Sequence, residues 1–138
     1  MDTLSPLERS ERMRRVRSKH TKPELVVRSL VHSLGYRYRL HVAALPGTPD
    51  LAFPGRHKVI FVHGCFWHRH GARCPLTRLP KSKLDYWRPK FEQNKKRDEK
   101  NRKRLRSAGW ESLVIWECQL KDSETLVKRI TAFLESPE

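Results

Sequence analysis

Apolar residues first recur at helical spacing at Val26, Val27, Leu30, Val31 and Leu34. Thr21-Lys22-Pro23-Glu24 ahead of them has the form of a capping box with proline in the first turn, and Gly35 suits a helix end. From Tyr36 to Val42 aromatic or apolar residues alternate with Arg and His, the period of a half-exposed strand. Leu45-Pro46-Gly47-Thr48-Pro49 reads as a turn. Asp50 to Phe53 then predicts a short strand closed by Pro54-Gly55, and Val59-Ile60-Phe61-Val62 a buried strand paired with it as a hairpin.

Between His63 and Pro80 the chain is irregular, rich in His and Cys, and too polar to form core; a bound metal would explain how it stays ordered. From Leu84 to Ser107 it is highly charged and lacks glycine, with Pro89 the sole breaker. A helix is therefore expected after Pro89, ended by Gly109, and its few apolar positions (Phe91, Leu105, Ala108) leave most of its surface to water or an anion. Ser112 to Trp116 reads as a buried strand. Ser123 to Leu134, with Leu126, Val127, Ile130, Phe133 and Leu134 on one side, reads as a closing helix. Helix, three strands, metal loop, basic helix, strand, helix: this order predicts an α/β fold with a mixed sheet and helices on both faces.

Residues 1–20 carry Arg9, Arg12, Arg14, Arg15, Arg17 and Lys19 among few apolar anchors, which predicts an arm that orders on a partner. Residues 21–138 are then one domain. Thirty Lys and Arg against 15 Asp and Glu give a formal charge of +15, more than solubility requires, and a polyanion is the partner this implies. No segment approaches the roughly 18 apolar residues of a membrane span, and the N-terminus lacks the apolar region of a signal peptide, so a cytoplasmic location is expected. In that compartment three cysteines do not suggest a disulfide framework; with one imidazole they would complete a tetrahedral zinc shell.

Cys65-x4-His70-x3-Cys74 resembles a zinc half-site, and Cys118, just past the strand ending at Trp116, could supply the fourth ligand of a closed, structural site. His57, His63 and His68 compete with His70 for the imidazole position, and three unrelated buried thiols are the plain alternative. Asp50, after a proline and beside the strand ending near His63, has the placement by which nucleases hold a divalent ion against a phosphate, although such an Asp is often only a turn residue. Glu24, His63 and His68 could complete that site, the two imidazoles being suited to proton transfer near neutral pH. His32 and His41 read as structural. Phe66 and Trp67 are adjacent, so one of them is expected to be exposed. Among basic groups an exposed aromatic reads as a base-stacking wedge, and Trp87 has the same character, whereas Trp110 and Trp116 read as core.

Pro46-Gly47-Thr48-Pro49-Asp50, the block from Val59 through His63-Gly64-Cys65-Phe66-Trp67-His68, Ala108-Gly109-Trp110 and Val114-Ile115-Trp116-Glu117-Cys118 together resemble the bacterial very-short-patch repair DNA mismatch endonucleases. Glu11-Arg12-Met13-Arg14 and the Tyr86-Trp87 to Asn94, Arg97, Asp98 region extend the resemblance over nearly the whole chain. It implies a restriction-endonuclease-like α/β/α fold related to the PD-(D/E)xK nucleases, with a structural zinc site. The implied activity is a Mg2+-dependent nick in double-stranded DNA 5′ to the thymine of a T:G mismatch, the lesion left by deamination of 5-methylcytosine.

By the same similarity Asp50 and the backbone carbonyl of Val62 would bind Mg2+, Glu24 would hold water beside it, and His63 and His68 would serve the attacking water and the phosphate. Cys65, His70, Cys74 and Cys118 would bind Zn2+. Phe66, Trp67 and Trp87 would wedge into the duplex from the major groove and Met13 from the minor groove, with Asn94 and Arg97 also on DNA. A monomer is expected, with mismatch-repair proteins as further partners. The superfamily's usual lysine is absent, His63 standing roughly in its place, and the His70 to Cys74 interval is longer than usual. Two rival readings stand beside this one: a related nuclease without T:G selectivity, and a non-enzymatic zinc-containing DNA-binding module.

Overall fold

A computed structural model describes residues 21–65 and 83–137. The expected arm of residues 1–20 lies outside the described residues, as do Met13, Phe66, Trp67, His68, His70 and Cys74.

Helix α1 spans Lys22–Ser33, with Thr21 extended at its N-cap and Pro23 in its first turn. The capping box does not form: Thr21 makes no side-chain cap hydrogen bond, and Glu24 is turned inward to 2% exposure. The helix ends as expected, with the Gly35 and Tyr36 N–H groups donating to the carbonyls of His32 and Val31 at 3.0 and 3.3 Å. Its buried stripe is Glu24, Val27 and Val31, flanked by Leu30 and Leu34. Val26 is exposed together with Leu25, so the inward face is rotated away from the apolar pair and toward a carboxylate.

Strands β1 (Arg39–Leu40), β2 (Leu51–Phe53), β3 (Lys58–His63) and β4 (Glu111–Trp116) form one sheet in that order. β1–β2 and β2–β3 are antiparallel and β3–β4 is parallel. β3 lies inside the sheet and is buried on both faces from Lys58 to Phe61, which is why its sequence is a continuous apolar run and not an alternating one. On one face Leu51, Phe53, Ile60 and Ile115 pack with Val27 and Val31 of α1 and with Leu126, Ile130 and Leu134 of helix α3 (Ser123–Glu135). On the other, Ala52, Val59 and Phe61 pack with Leu105 of helix α2 (Leu84–Ser107). The result is the expected three-layer α/β/α arrangement around a mixed sheet, in which each fully buried large aliphatic side chain contributes about 1.5–3 kcal/mol.

Three elements differ from expectation. β1 is only two residues long because His41, in the left-handed region at φ 48°, turns the chain out of the ladder; Tyr36 and Tyr38 still pack against the core. Helix α2 begins at Leu84, ahead of Pro89, and both Pro89 and the carbonyl-bearing Asp85 one turn before it are exposed, so water can take the place of the missing N–H. β3 continues through His63, which is thus a strand residue and not part of the loop.

The inner face of α2 carries a stripe at heptad spacing: Phe91 and Leu105 are buried at its ends, with Asn94, Asp98 and Asn101 between them. At the opposite end of β3 from His63, the buried Lys58 ammonium donates to the carbonyls of Phe133 (2.7 Å) and Ser136 (2.5 Å) and to Ser136 Oγ (2.9 Å), closing the end of α3. Among the described residues no helix is long and apolar enough to cross a membrane.

Candidate active site

Asp50 directly precedes β2, and the β2–β3 register, Leu51 opposite Ile60, carries it to the far end of the hairpin. There its Oδ2 accepts the main-chain N–H of Val62 at 2.7 Å. The same strand end presents His63, whose buried ring lies on the α2 face of the sheet, 5.8 Å from the Phe61 ring and 5.1 Å from that of Trp116.

Glu24 arrives from α1. The inward rotation of that helix, which costs Val26 its burial, brings the Glu24 carboxylate to Asp50 and into contact with Nε2 of His41. The ligand-capable atoms of Glu24, His41 and Asp50 lie within 4.8 Å of one another. The His41 main-chain N–H donates to the Asp50 carbonyl at 3.2 Å, extending the β1–β2 pairing by one bond while the left-handed backbone swings the ring toward Glu24. Arg28 stands one turn along α1, its guanidinium 4.0 Å from the other Glu24 oxygen.

Burial pushes the Asp50 carboxyl up to about 7; the nearby Glu24 carboxylate adds to the rise, and the Val62 N–H pulls against it. Two carboxyl groups brought together with lost hydration form a donor set that is costly without a cation. Its oxygens suit a hard divalent ion of the Mg2+ kind, and the imidazole beside them does not conflict with one.

A second cluster sits where the parallel register ends, His63 beside Trp116. The next residues on each chain segment bring Cys65 to Cys118, whose N–H donates to Cys65 Sγ at 3.4 Å. Glu117 Oε1 accepts the Cys65 N–H, also at 3.4 Å. The Cys65 thiol therefore lies against the main chain of Cys118, a closeness of the two residues that a shared metal would require. His57 is at the other end of β3, edge-on to Trp110 at 5.3 Å, which removes it as an alternative ligand.

The sequence-predicted residues thus divide. Glu24 and Asp50 meet, Val62 touches Asp50 through its N–H, His63 shares the strand end from the opposite face, and Cys65 meets Cys118. On α2, Trp87 stacks on Phe91 with ring centroids 5.8 Å apart, Asn94 is buried on the inner stripe and Arg97 is exposed. Trp110 and Trp116, expected in the core, are half-buried at its margins. His41, expected to be merely structural, stands in the carboxylate cluster. Strand alternation from Tyr36 places position 41 on the same side as the exposed Arg37 and Arg39, and no local residue type announces the left-handed turn that redirects it.

Residues 1–74 match the family model described as DNA mismatch endonuclease Vsr. The type II nicking enzyme V.XorIIP of Xanthomonas oryzae pv. oryzae (strain KACC10331 / KXO85) is 53% identical over 134 residues, covering 97% of each chain. The DNA mismatch endonuclease Vsr of Escherichia coli (strain K12) is 38% identical over 118 residues, covering 86% of this chain and 74% of that one. Among solved structures, the catalytic domain of homing endonuclease I-Bth0305I superposes with a TM-score of 0.57 at 18% identity, covering 85% of this chain and all of that one, a likeness of fold. With a family match over more than half of its length and relatives aligned along nearly all of it, the chain belongs to the Vsr family of DNA mismatch endonucleases and is a DNA endonuclease.

Proposed function

We propose that the protein nicks one strand of double-stranded DNA 5′ to the thymine of a T:G mismatch, by hydrolysis that depends on Mg2+. The observation that carries this reading is the meeting of Glu24 and Asp50 at the start of β2, with the Asp50 carboxylate held by the end of β3. When bound there, Mg2+ would polarise the phosphoryl oxygen and ease deprotonation of water. Asp50 and the Val62 carbonyl would hold it. Glu24 would orient water at the site, and His63 and His68 would handle the proton of the attacking water and contact the phosphate. The names of the relatives support the reading: one is a mismatch endonuclease and another a nicking enzyme.

Zinc on Cys65, His70, Cys74 and Cys118 would fix the loop after β3 to the end of β4; the adjacency of Cys65 and Cys118 supports that assignment. This would set Phe66 and Trp67 beside the scissile phosphate. A T:G step stacks poorly and is cheaper to open than a matched one, so wedging by Phe66, Trp67 and Trp87, with Met13 from the arm of residues 1–20, would convert that difference into selectivity. Asn94 and Arg97 would add contacts to the duplex. The enzyme would act as a monomer at the nucleoid of a bacterial cytoplasm, with mismatch-repair proteins as further partners.

The test is cleavage of end-labelled duplexes carrying T:G or T:A at one position, with Mg2+ and with EDTA. Nicking 5′ to T in the T:G duplex alone, and only with Mg2+, is expected. Equal nicking of both duplexes would replace the reading with a nuclease lacking mismatch selectivity, and binding without nicking would leave a DNA-binding module.

A further inference from the structure

We infer that His41 is a positioning residue of the active site, bracing Glu24 and Asp50 in the arrangement that receives the divalent ion. The inference rests on the reading of Asp50 as the group that holds the ion and of Glu24 as the group that orients water beside it.

His41 reaches both carboxylate residues by different atoms. Its Nε2 contacts Glu24 Oε1, and its main-chain N–H donates to the Asp50 carbonyl at 3.2 Å. One residue therefore ties α1 to the start of β2 at the point where the carboxylates meet. Its side chain is only 9% exposed and that of Glu24 2%, so solvent cannot readily replace the contact.

When both are ionised the two carboxylates repel one another, and Glu24 has three side-chain torsions along which to move away. A hydrogen bond from Nε2–H to one oxygen opposes that movement and leaves the second oxygen directed by what surrounds it. Histidine–carboxylate pairs just outside a metal site commonly serve this purpose, and losing one typically costs 10- to 100-fold in metal affinity or activity. The backbone supplies an independent indication. A φ of 48° is uncommon for a residue other than glycine, though His and Asn adopt it more readily than most, and such outliers concentrate where placement of a side chain matters. A hairpin margin needing only a turn would be better served by Gly or Asn.

The experiment measures Mn2+ binding to the full-length protein by calorimetry, and Mg2+-dependent nicking, for the wild type, His41→Asn, His41→Gln and Asp50→Asn. Asparagine keeps the left-handed turn but is too short to reach Glu24, whereas glutamine restores an N–H at that distance. H41N is expected to weaken Mn2+ binding and lower kcat by roughly 10- to 100-fold with KM for DNA little changed, and H41Q to recover most of both. Wild-type Mn2+ affinity and kcat in H41N would overturn the proposal while the loss of binding in D50N left the carboxylate reading intact. Unaltered Mn2+ binding in D50N, or none in the wild type, would overturn that reading and this inference with it. A folded H41Q as impaired as H41N would also overturn it, since the imidazole would then be acting as a direct ligand. Should H41N fail to fold, His41→Gly, which relieves the backbone, provides the same comparison.

Discussion

The Asp50 carboxylate accepts the main-chain N–H of Val62 at 2.7 Å, so the acid at the head of one strand is aimed by the tail of its hairpin partner. The bond joins two parts of the proposed chemistry that are twelve residues apart in sequence. A one-residue shift of the β2–β3 register would move Asp50 off Val62 and invert every side chain of the short strand. The all-apolar pairing of Leu51 with Ile60 and Ala52 with Val59 fixes that register, and the core thereby sets the geometry of the site.

Asp50→Asn keeps an oxygen for the Val62 N–H and removes the charge. Nicking should fall by about 10²–10⁴-fold with duplex affinity nearly retained, the scale of losing a metal or proton-transfer function. Stability should respond in a pH-dependent way in EDTA. Because the folded-state pKa is raised from 3.8 to about 7, the folded protein keeps a proton that the unfolded chain releases near pH 4. The free energy of unfolding therefore falls as pH rises between about 4 and about 7, and D50N lacks that contribution. Urea unfolding at pH 5 and pH 7.5 should show a smaller loss for D50N than for the wild type, and equal losses would contradict the buried acid pair.

The end of α1 at Gly35, the β2–β3 hairpin and helix α3 are legible in the sequence because local pattern and tertiary packing agree there. Asp50 is legible for the same reason, as a carboxylate fixed beside an unmistakable buried strand. At two other residues of the candidate site the two levels conflict. Glu24 looks like a capping residue because Thr21 precedes it by three, yet the inward pull of Val27 and Val31 takes it to Asp50. His41 is hidden because a non-glycine left-handed residue leaves no mark in composition or period. Pro89 breaks a helix on paper, but its exposed position near the start of α2 lets water compensate.

Gly47 should accept a side chain only at a cost in stability. Its φ is +80°, and a Cβ there would meet Asn101 Cβ, Asn101 Nδ2 and Phe61 Cε1, each at 3.1 Å. Gly47→Ala therefore combines backbone strain with a shift of a few tenths of an ångström at the Asn101 and Phe61 side chains that face the turn leading into Asp50, at a cost of about 2–4 kcal/mol. Gly109, at φ +87°, has open space where its Cβ would go. Gly109→Ala should show the strain alone, about 1–2 kcal/mol, with nicking unaltered at temperatures where it stays folded. Equal unfolding midpoints for the two variants would refute the contact between the turn and α2.

Cys118→Ser tests the zinc assignment. The Cys118 N–H already donates to Cys65 Sγ, the kind of hydrogen bond that stabilises a thiolate, and serine is a far poorer zinc ligand than cysteine. Purified wild-type protein should contain close to one zinc per chain by elemental analysis, and C118S a small fraction of that, with a lower unfolding midpoint. Folded wild-type protein with no zinc would exclude the Cys/His site.

Lys58→Met separates stability from chemistry. The Lys58 ammonium is 1% exposed and bonds the carbonyls of Phe133 and Ser136 at the end of α3, while Arg56 donates to the Leu134 carbonyl at 2.8 Å beside it. Removing the lysine leaves carbonyls of the last turn without their charged donor, which costs about 1.5–3 kcal/mol per bond lost. Methionine fills most of the volume and removes the expense of burying a charge, so the net loss should be nearer 2 kcal/mol in all. Because Lys58 pairs with Phe53 at the end of the hairpin remote from Asp50, kcat for nicking at 25 °C should stay within about twofold of the wild type. An unchanged unfolding midpoint would show that the buried charge contributes nothing net. A drop in kcat with the protein fully folded would mean that the two ends of β3 are coupled, which this register does not predict.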